Sequence, residues 1–211
     1  MSDTAPLSHR YRLEPGAGEE TLLLLHGTGG DESDLLQLGR ALAPRATLLG
    51  VRGQVLEQGM PRFFRRLAPG VYDEPDVIAR AHALAAFVRA AAQRHGFDPA
   101  RIDALGYSNG ANIAAALLLL EPGLLRRAAL LRADLPLKDA AARGLRGTRV
   151  LIAAGAHDPL IPRERSQALC DRLSLGGADV TLRVADAGHE LSNEELQAVG
   201  SWLAQGGGPE D

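Results

Sequence analysis

Residues 106–110 read Gly-Tyr-Ser-Asn-Gly, between a strand-like run at 102–107 and a strongly apolar helical run at 109–120. A G-x-S-x-G set between a strand and a helix predicts a sharp turn that lifts the serine hydroxyl clear of a sheet, with Gly106 and Gly110 letting backbone and helix approach closely. Serine is a weak nucleophile at its own pKa, so the chain must also supply a base and an acid to orient it. Two positions qualify. Asp158 lies in Gly-Ala-His-Asp-Pro just past the apolar run 150–154, and His189 lies in Ala-Gly-His-Glu just past the run 180–184. If the runs are parallel strands, Ser108, Asp158 and His189 all project from the rim where such sheets bind ligands. Their order along the chain, Ser then Asp then His, is the one this arrangement requires.

Each residue type has a task in acyl transfer. His189 would take the proton of Ser108 as it attacks a carbonyl and return it to the leaving group. Asp158 would hold the imidazole in one tautomer and stabilise the imidazolium. The developing oxyanion needs fixed donors. The backbone N–H of Asn109, first in its helix, is one, and that of Thr28, in the loop His26-Gly27-Thr28-Gly29-Gly30, is the second. Singly, each signal has a plainer explanation. G-x-S-x-G arises by chance, Asp before Pro forms turns, and His189 is equally a surface histidine. At matching strand ends and in the right order, chance is a poor account of all three.

Other motifs fail. The loop at 26–30 lacks the Lys-Ser/Thr of a phosphate-binding loop, position 32 is Glu where G-x-G-x-x-G needs Gly, and position 193 is Asn where a zinc-protease helix needs His. No Cys/His set has metal-ligand spacing, so no metal is expected. His157 would point away from the site, and His26 would shape its loop rather than react. His9, His82 and His95 read as surface or helix-end residues. Cys170, the one cysteine, reads as a structural thiol in a helix.

The elements that must carry these groups alternate. Strands are expected at 21–26, 46–51, 102–107, 127–131, 150–154 and 180–184, and helices at 34–43, 109–120, 163–175 and 192–204, with another from Pro75 in its first turn to a close at Gly96. Residues 11–13 suggest an antiparallel edge strand. Such alternation predicts a mainly parallel sheet covered by helices on both faces. Residues 52–72 form a long Gly-, Pro- and Arg-rich connection, of the kind that usually has a role. The 211 residues suit one domain over 1–211, with 1–15 and 206–211 peripheral or flexible. A net charge of −3 and 4% aromatics give no reason to expect nucleic acid. No apolar run is long enough to span a bilayer, and no secretory signal opens the chain, so a cytoplasmic protein without membrane insertion is expected.

Four stretches together, Leu-Leu-Leu-His-Gly-Thr-Gly-Gly at 23–30, Gly-Tyr-Ser-Asn-Gly-Ala at 106–111, Gly-Ala-His-Asp-Pro-Leu-Ile-Pro at 155–162 and Gly-His-Glu-Leu at 188–191, resemble the small capless phospholipase/carboxylesterase family of α/β-hydrolases, which includes acyl-protein thioesterases. The resemblance runs from about residue 21 to 203. It implies an α/β-hydrolase fold without a cap domain, a nucleophile at Ser108, an acid at Asp158, a base at His189, oxyanion donors at Thr28 and Asn109, no cofactor and often a homodimer. Residues 52–66 resemble a bacterial carboxylesterase-like branch, which would place Phe63, Phe64 and Arg65 of the Phe pair and Arg cluster at the substrate pocket. The alternative is a solvated basic loop with two Phe anchors in the core. Arg132-Ala133-Asp134-Leu135-Pro136 stands where some relatives have small residues after the central strand. The expectation is a serine hydrolase that cleaves small-molecule carboxylic esters through an acyl-enzyme. Thioesters and lysophospholipids are alternative substrates, an acyltransferase shares the covalent step, and a non-catalytic ligand-binding scaffold is the alternative of another class.

Overall fold

A computed structural model describes residues 7–205 of the chain. Seven strands form one sheet in the order β1 (Tyr11–Glu14), β3 (Thr47–Val51), β2 (Thr21–Leu25), β8 (Ile102–Tyr107), β9 (Arg127–Leu131), β10 (Arg149–Gly155), β11 (Asp179–Ala185). Only the β1–β3 pair is antiparallel. Helices α1 (Leu36–Leu42) and α5 (Asn193–Ala204) cover one face, and α2 (Glu74–His95), α3 (Asn109–Leu120) and α4 (Arg163–Leu175) cover the other. The sheet is therefore apolar on both sides. In β2, Leu23 and Leu25 join the core beneath α2 and α3, while Leu22 and Leu24 join the core beneath α1 and α5. That is why the strand reads as an unbroken apolar run rather than an alternating one.

Helix ends follow the local chemistry. Asp73 caps α2 by accepting from the N–H of Asp76, Pro75 sits in its first turn, and Gly96 ends it in the left-handed region at φ 75°. Ser192 and Glu195 form a reciprocal capping box at the start of α5.

The connection at 52–72 is more ordered than its sequence implies. It holds two hairpins, β4 (Val55–Glu57) with β5 (Met60–Arg62), and β6 (Arg66–Ala68) with β7 (Val71–Tyr72). Gln58 and Gly59 turn the first hairpin with φ of 52° and 80°. Two successive positive φ values suit a tight hairpin turn, but Gln-Gly is not among its strong sequence signals. Pro61 also argues against a strand, and is tolerated here because a two-stranded ribbon leaves an edge free. No separate cap domain stands over the sheet among the described residues.

His9 departs from the surface placement expected of it. It is buried, with its ring centroid 4.9 Å from that of Phe87, and burial pulls its pKa down to about 4, with Arg80 adding to the effect. His82 and His95 are exposed, the first paired with Glu121 and the second with the Tyr11 hydroxyl. Cys170 is half-buried in α4, and burial pushes its thiol up. Of the terminal stretch 1–15, residues 11–14 form the edge strand β1, while 1–6 and the tail 206–211 lie outside the described residues. No described helix is long and apolar enough to cross a membrane.

Candidate active site

Strand β8 runs directly into Ser108, which is followed at once by α3. Ser108 adopts φ 52° and ψ −113°, a left-handed φ that a residue with a Cβ rarely takes. The surrounding backbone holds it there. The Ser108 N–H donates to the Leu131 carbonyl at 2.8 Å, and its own carbonyl accepts from Asn112 at 3.0 Å. The flanking glycines are required by contact. A Cβ on Gly106 would lie 2.6 Å from the Gly110 carbonyl oxygen, and one on Gly110 would overlap the carbonyls of Leu25 and His26 in the neighbouring loop.

The structure brings Asp158 and His189 to this serine. His189 Nε2 lies 3.1 Å from Ser108 Oγ, and Nδ1 lies 2.8 Å from Asp158 Oδ2. The other carboxylate oxygen accepts the N–H groups of Leu160 (2.8 Å) and Ile161 (3.0 Å), fixing its plane. A carboxylate only accepts, so Nδ1 carries the imidazole proton and Nε2 offers its lone pair to the serine hydroxyl. The Asp158 side chain is 1% exposed and that of His189 17%, which leaves their bond weakly screened by water.

The loop bearing His189 is held by a residue whose role the sequence did not reveal. Arg132 follows β9 with φ 56°, and its side chain is fully buried. Its Nε donates to the Gly188 carbonyl at 2.9 Å and its Nη2 to the Glu190 carbonyl at 2.5 Å. Nη1 reaches the Ala153 carbonyl at 3.3 Å, and Nη1 and Nη2 fork onto the carboxylate of Glu195 at 2.7 and 3.0 Å. All five guanidinium donors are thus engaged. The Tyr107 hydroxyl adds a bond to the His189 carbonyl at 3.1 Å. Three successive carbonyls, 188 to 190, are therefore fixed from below. Only an arginine closing an apolar strand hinted at this, and nothing local pointed to Glu195 as its partner.

The two candidate oxyanion donors are available. Neither the Thr28 nor the Asn109 N–H donates to another backbone group among the described residues. Their supports are explicit. Arg62 Nη1 donates to Thr28 Oγ1 at 2.7 Å, and the next residue, Gly29, donates its N–H to the Pro61 carbonyl at 3.0 Å. His26 Nδ1 donates to the Gly27 carbonyl at 2.6 Å, while Nε2 accepts the Gly53 N–H at 3.0 Å. Burial lowers the His26 pKa, so the ring stays neutral and shapes the loop. The side chain of Asn109 accepts the Phe63 N–H at 2.7 Å, tying the β4–β5 hairpin to the turn at Ser108.

A cavity of about 640 Å³ opens beside Ser108, Asn109, Thr28 and His189. The pocket residues expected at 63–65 are not its walls. Phe63 packs on His26 (centroids 4.8 Å apart) and Phe64 lies edge-on to Tyr72 (5.3 Å), both in the core. Arg65 faces solvent and pairs with Asp73 and Asp76. Their neighbours Arg62 and Arg66 line the cavity instead, with Tyr72 and Arg165. Beneath that wall Tyr72 donates to Asp134 at 2.6 Å, Arg165 pairs with the same oxygen at 2.6 Å, and burial pushes both the phenol and the carboxyl up. His157 points away from the serine and bonds Asp186 at the surface. A second depression, about 550 Å³ between β11 and α5, presents no imidazole or cysteine thiol. Among the described residues no three His, Cys, Asp or Glu side chains gather as a metal ion would require.

The phospholipase/carboxylesterase family model matches residues 15–205. The chain belongs to this family. Within it, the chain is 45% identical over 199 residues to MhqD of Bacillus subtilis (strain 168), provisionally named a hydrolase, covering 94% of this chain and 98% of that one. The crystal structure of the Bacillus cereus carboxylesterase matches with a TM-score of 0.90 and 42% identity, over 92% of this chain and 93% of that one. The carboxylesterase of Mesorhizobium loti matches with a TM-score of 0.89 and 39% identity, over 98% of both chains. This phospholipase/carboxylesterase family member has the α/β-hydrolase fold and is an enzyme of the carboxylesterase type.

Proposed function

We propose that the protein cleaves small carboxylic esters through an acyl-enzyme on Ser108. The observation that carries this reading is the continuous line Ser108 Oγ–His189–Asp158, with bonds of 3.1 and 2.8 Å. His189 Nε2 takes the hydroxyl proton as Oγ bonds to the ester carbonyl carbon, and the carbonyl π electrons move onto oxygen. The N–H groups of Thr28 and Asn109 receive that oxyanion. Collapse expels the alcohol, which leaves with the proton held by His189. Water then enters and bonds to the acyl carbon as His189 Nε2 takes its proton, and collapse breaks the acyl–Oγ bond while His189 returns that proton to Ser108, releasing the acid. The developing imidazolium is balanced by Asp158, whose orientation the Leu160 and Ile161 N–H groups fix.

Without a cap domain, the cavity favours short or flexible acyl groups. A thioester or a lysophospholipid would use the same groups, and a panel of p-nitrophenyl esters of increasing chain length, run beside a thioester and a lysophospholipid, ranks them. The covalent step is tested with a fluorophosphonate probe. Wild type should be labelled, and Ser108→Ala and His189→Ala should not. An unlabelled, folded wild type would instead favour a scaffold that binds ligands without turning them over.

A further inference from the structure

Three guanidinium groups border the cavity beside Ser108, those of Arg62, Arg66 and Arg165, and no described Asp or Glu lines it. Their countercharges stand behind the wall. Glu57 is shared by Arg62 (3.3 Å) and Arg66 (2.7 Å), and Asp134, 1% exposed, pairs with Arg165. Three cations thus face two carboxylates.

Arg62 is the most deeply set of the three, 4% exposed against 34% for Arg66 and 32% for Arg165. Its side chain is nearly as hidden as that of Arg132, yet the two differ in how they are satisfied. Arg132 places all five donors. Arg62 spends Nε on the Phe64 carbonyl and Glu57, both at 3.3 Å, and one Nη1 hydrogen on Thr28 at 2.7 Å. The remaining Nη1 hydrogen and both on Nη2 donate to no described protein acceptor. Burial also pulls the Arg62 pKa down, an effect that Glu57 opposes and Arg66 reinforces. Nη2 is not sealed from solvent, so an anion entering the cavity can replace water on these idle donors while the rest of the side chain stays buried. The planar Arg62 fork fits a carboxylate or a phosphate far better than a neutral ester or an alkyl chain.

We propose that Arg62, flanked by Arg66 and Arg165, is a subsite for an anionic oxygen group on the substrate, so that the preferred substrates are esters carrying a carboxylate or phosphate a few bonds from the scissile carbonyl. This rests on the ester-cleavage reading above and adds a substrate class to it. The Arg62–Thr28 bond places the subsite against the loop of the candidate oxyanion donors. An anion held there positions the carbonyl as well as selecting it.

Two substrate pairs test the proposal and separate the two sources of charge. For an acyl-side carboxylate, mono-p-nitrophenyl glutarate is compared with neutral p-nitrophenyl valerate. For an alcohol-side phosphate, acetylglycerol phosphate is compared with acetylglycerol by pH-stat. The expected result is a kcat/KM at least 10-fold higher for the charged member of one pair. That ratio should fall at least 10-fold in Arg62→Gln, fall less in Arg66→Gln and in charge-retaining Arg62→Lys, and shrink as salt is raised. Reading the ratio within each variant cancels any general loss from disturbing Thr28. Equal or better turnover of the neutral member in both pairs, or a preference that survives Arg62→Gln, overturns the proposal. If wild type cleaves none of the four esters, the ester-cleavage reading fails instead. The subsite is then judged by thermal stabilisation with glutarate and with glycerol phosphate, which must be lost in Arg62→Gln for the proposal to stand.

Discussion

Replacing Arg132 by Met should damage catalysis more selectively than its distance from the substrate implies. The change removes donors from the carbonyls of Gly188 and Glu190 and strips the cation from Glu195, whose side chain is 10% exposed. Breaking a buried ion pair by removing one partner costs about 3–5 kcal/mol. At about 2–4 °C per kcal/mol for a domain of this size, the melting temperature should fall by roughly 6–20 °C. The rate effect has a separate origin. With both neighbouring carbonyls released, the His189 backbone keeps only the Tyr107 hydroxyl on its own carbonyl, while the ring keeps Asp158. A displacement of about 1 Å at a reacting group is worth about 10²-fold in rate. We therefore expect kcat on p-nitrophenyl acetate to drop about 100-fold, with KM little changed, because the guanidinium does not face the cavity. Measurements belong well below the variant's melting temperature, with circular dichroism confirming the fold. The decisive control is the double variant with His189→Ala. If Arg132 acts by positioning the base, Arg132→Met adds almost nothing to the loss already caused by His189→Ala. A folded Arg132→Met enzyme within twofold of wild type, or a full additional loss in the double variant, would refute the reasoning.

Two further outcomes are expected. Asp158→Asn should leave the fold standing, since an amide oxygen can still accept from Leu160 and Ile161, while kcat falls by about 10⁴-fold, as when the same change elsewhere forces the wrong imidazole tautomer; a loss below tenfold would speak against that role. His9 is held neutral in the fold with a pKa of about 4, against 6.5 in the unfolded chain. Between those values the unfolded state binds more protons, so stability should fall as pH drops from 6.5 toward 4 and stay flat with respect to His9 above that window. Chemical denaturation of wild type and His9→Gln across this range should show the shallower slope in the variant.

The parts of the site that were legible in the sequence are those specified by neighbours in the chain. Gly106, Ser108 and Gly110 announce a crowded turn because the crowding is local, and β8 and α3 have the bounds their apolar runs imply. Ser108, Asp158 and His189 could be placed at one rim because each ends a strand, and strand order did the rest. What stayed hidden depends on partners far along the chain. Arg132 meets Glu195 across 63 positions, and Arg62 meets Thr28 across 34. Phe63 and Phe64 are expected at the pocket only through the resemblance of residues 52–66 to a bacterial carboxylesterase-like branch, and the structure follows the alternative of two Phe anchors in the core. Burial against His26 and Tyr72 sends them into the core, with Arg62 and Arg66 at the cavity and Arg65 in solvent. His9 looked like a surface residue because Phe87, which covers it, lies on α2.

The β4–β5 hairpin has a consequence for anyone redesigning this protein. Pro61 and Arg62 brace the loop at Thr28, and Arg62 also forms part of the wall that meets the ligand. On the proposed reading, the piece that would discriminate among ligands and the piece that would steady nascent negative charge are one mechanical unit. Variation at its tip touches no wall of the cavity but is confined to residues that accept the positive φ of Gln58 and Gly59, whereas exchanging residues 61–63 to broaden scope should alter turnover in the same stroke. Libraries that seek new selectivity at undiminished speed should therefore begin on the opposite wall, at Pro159, Leu160 and Ile161.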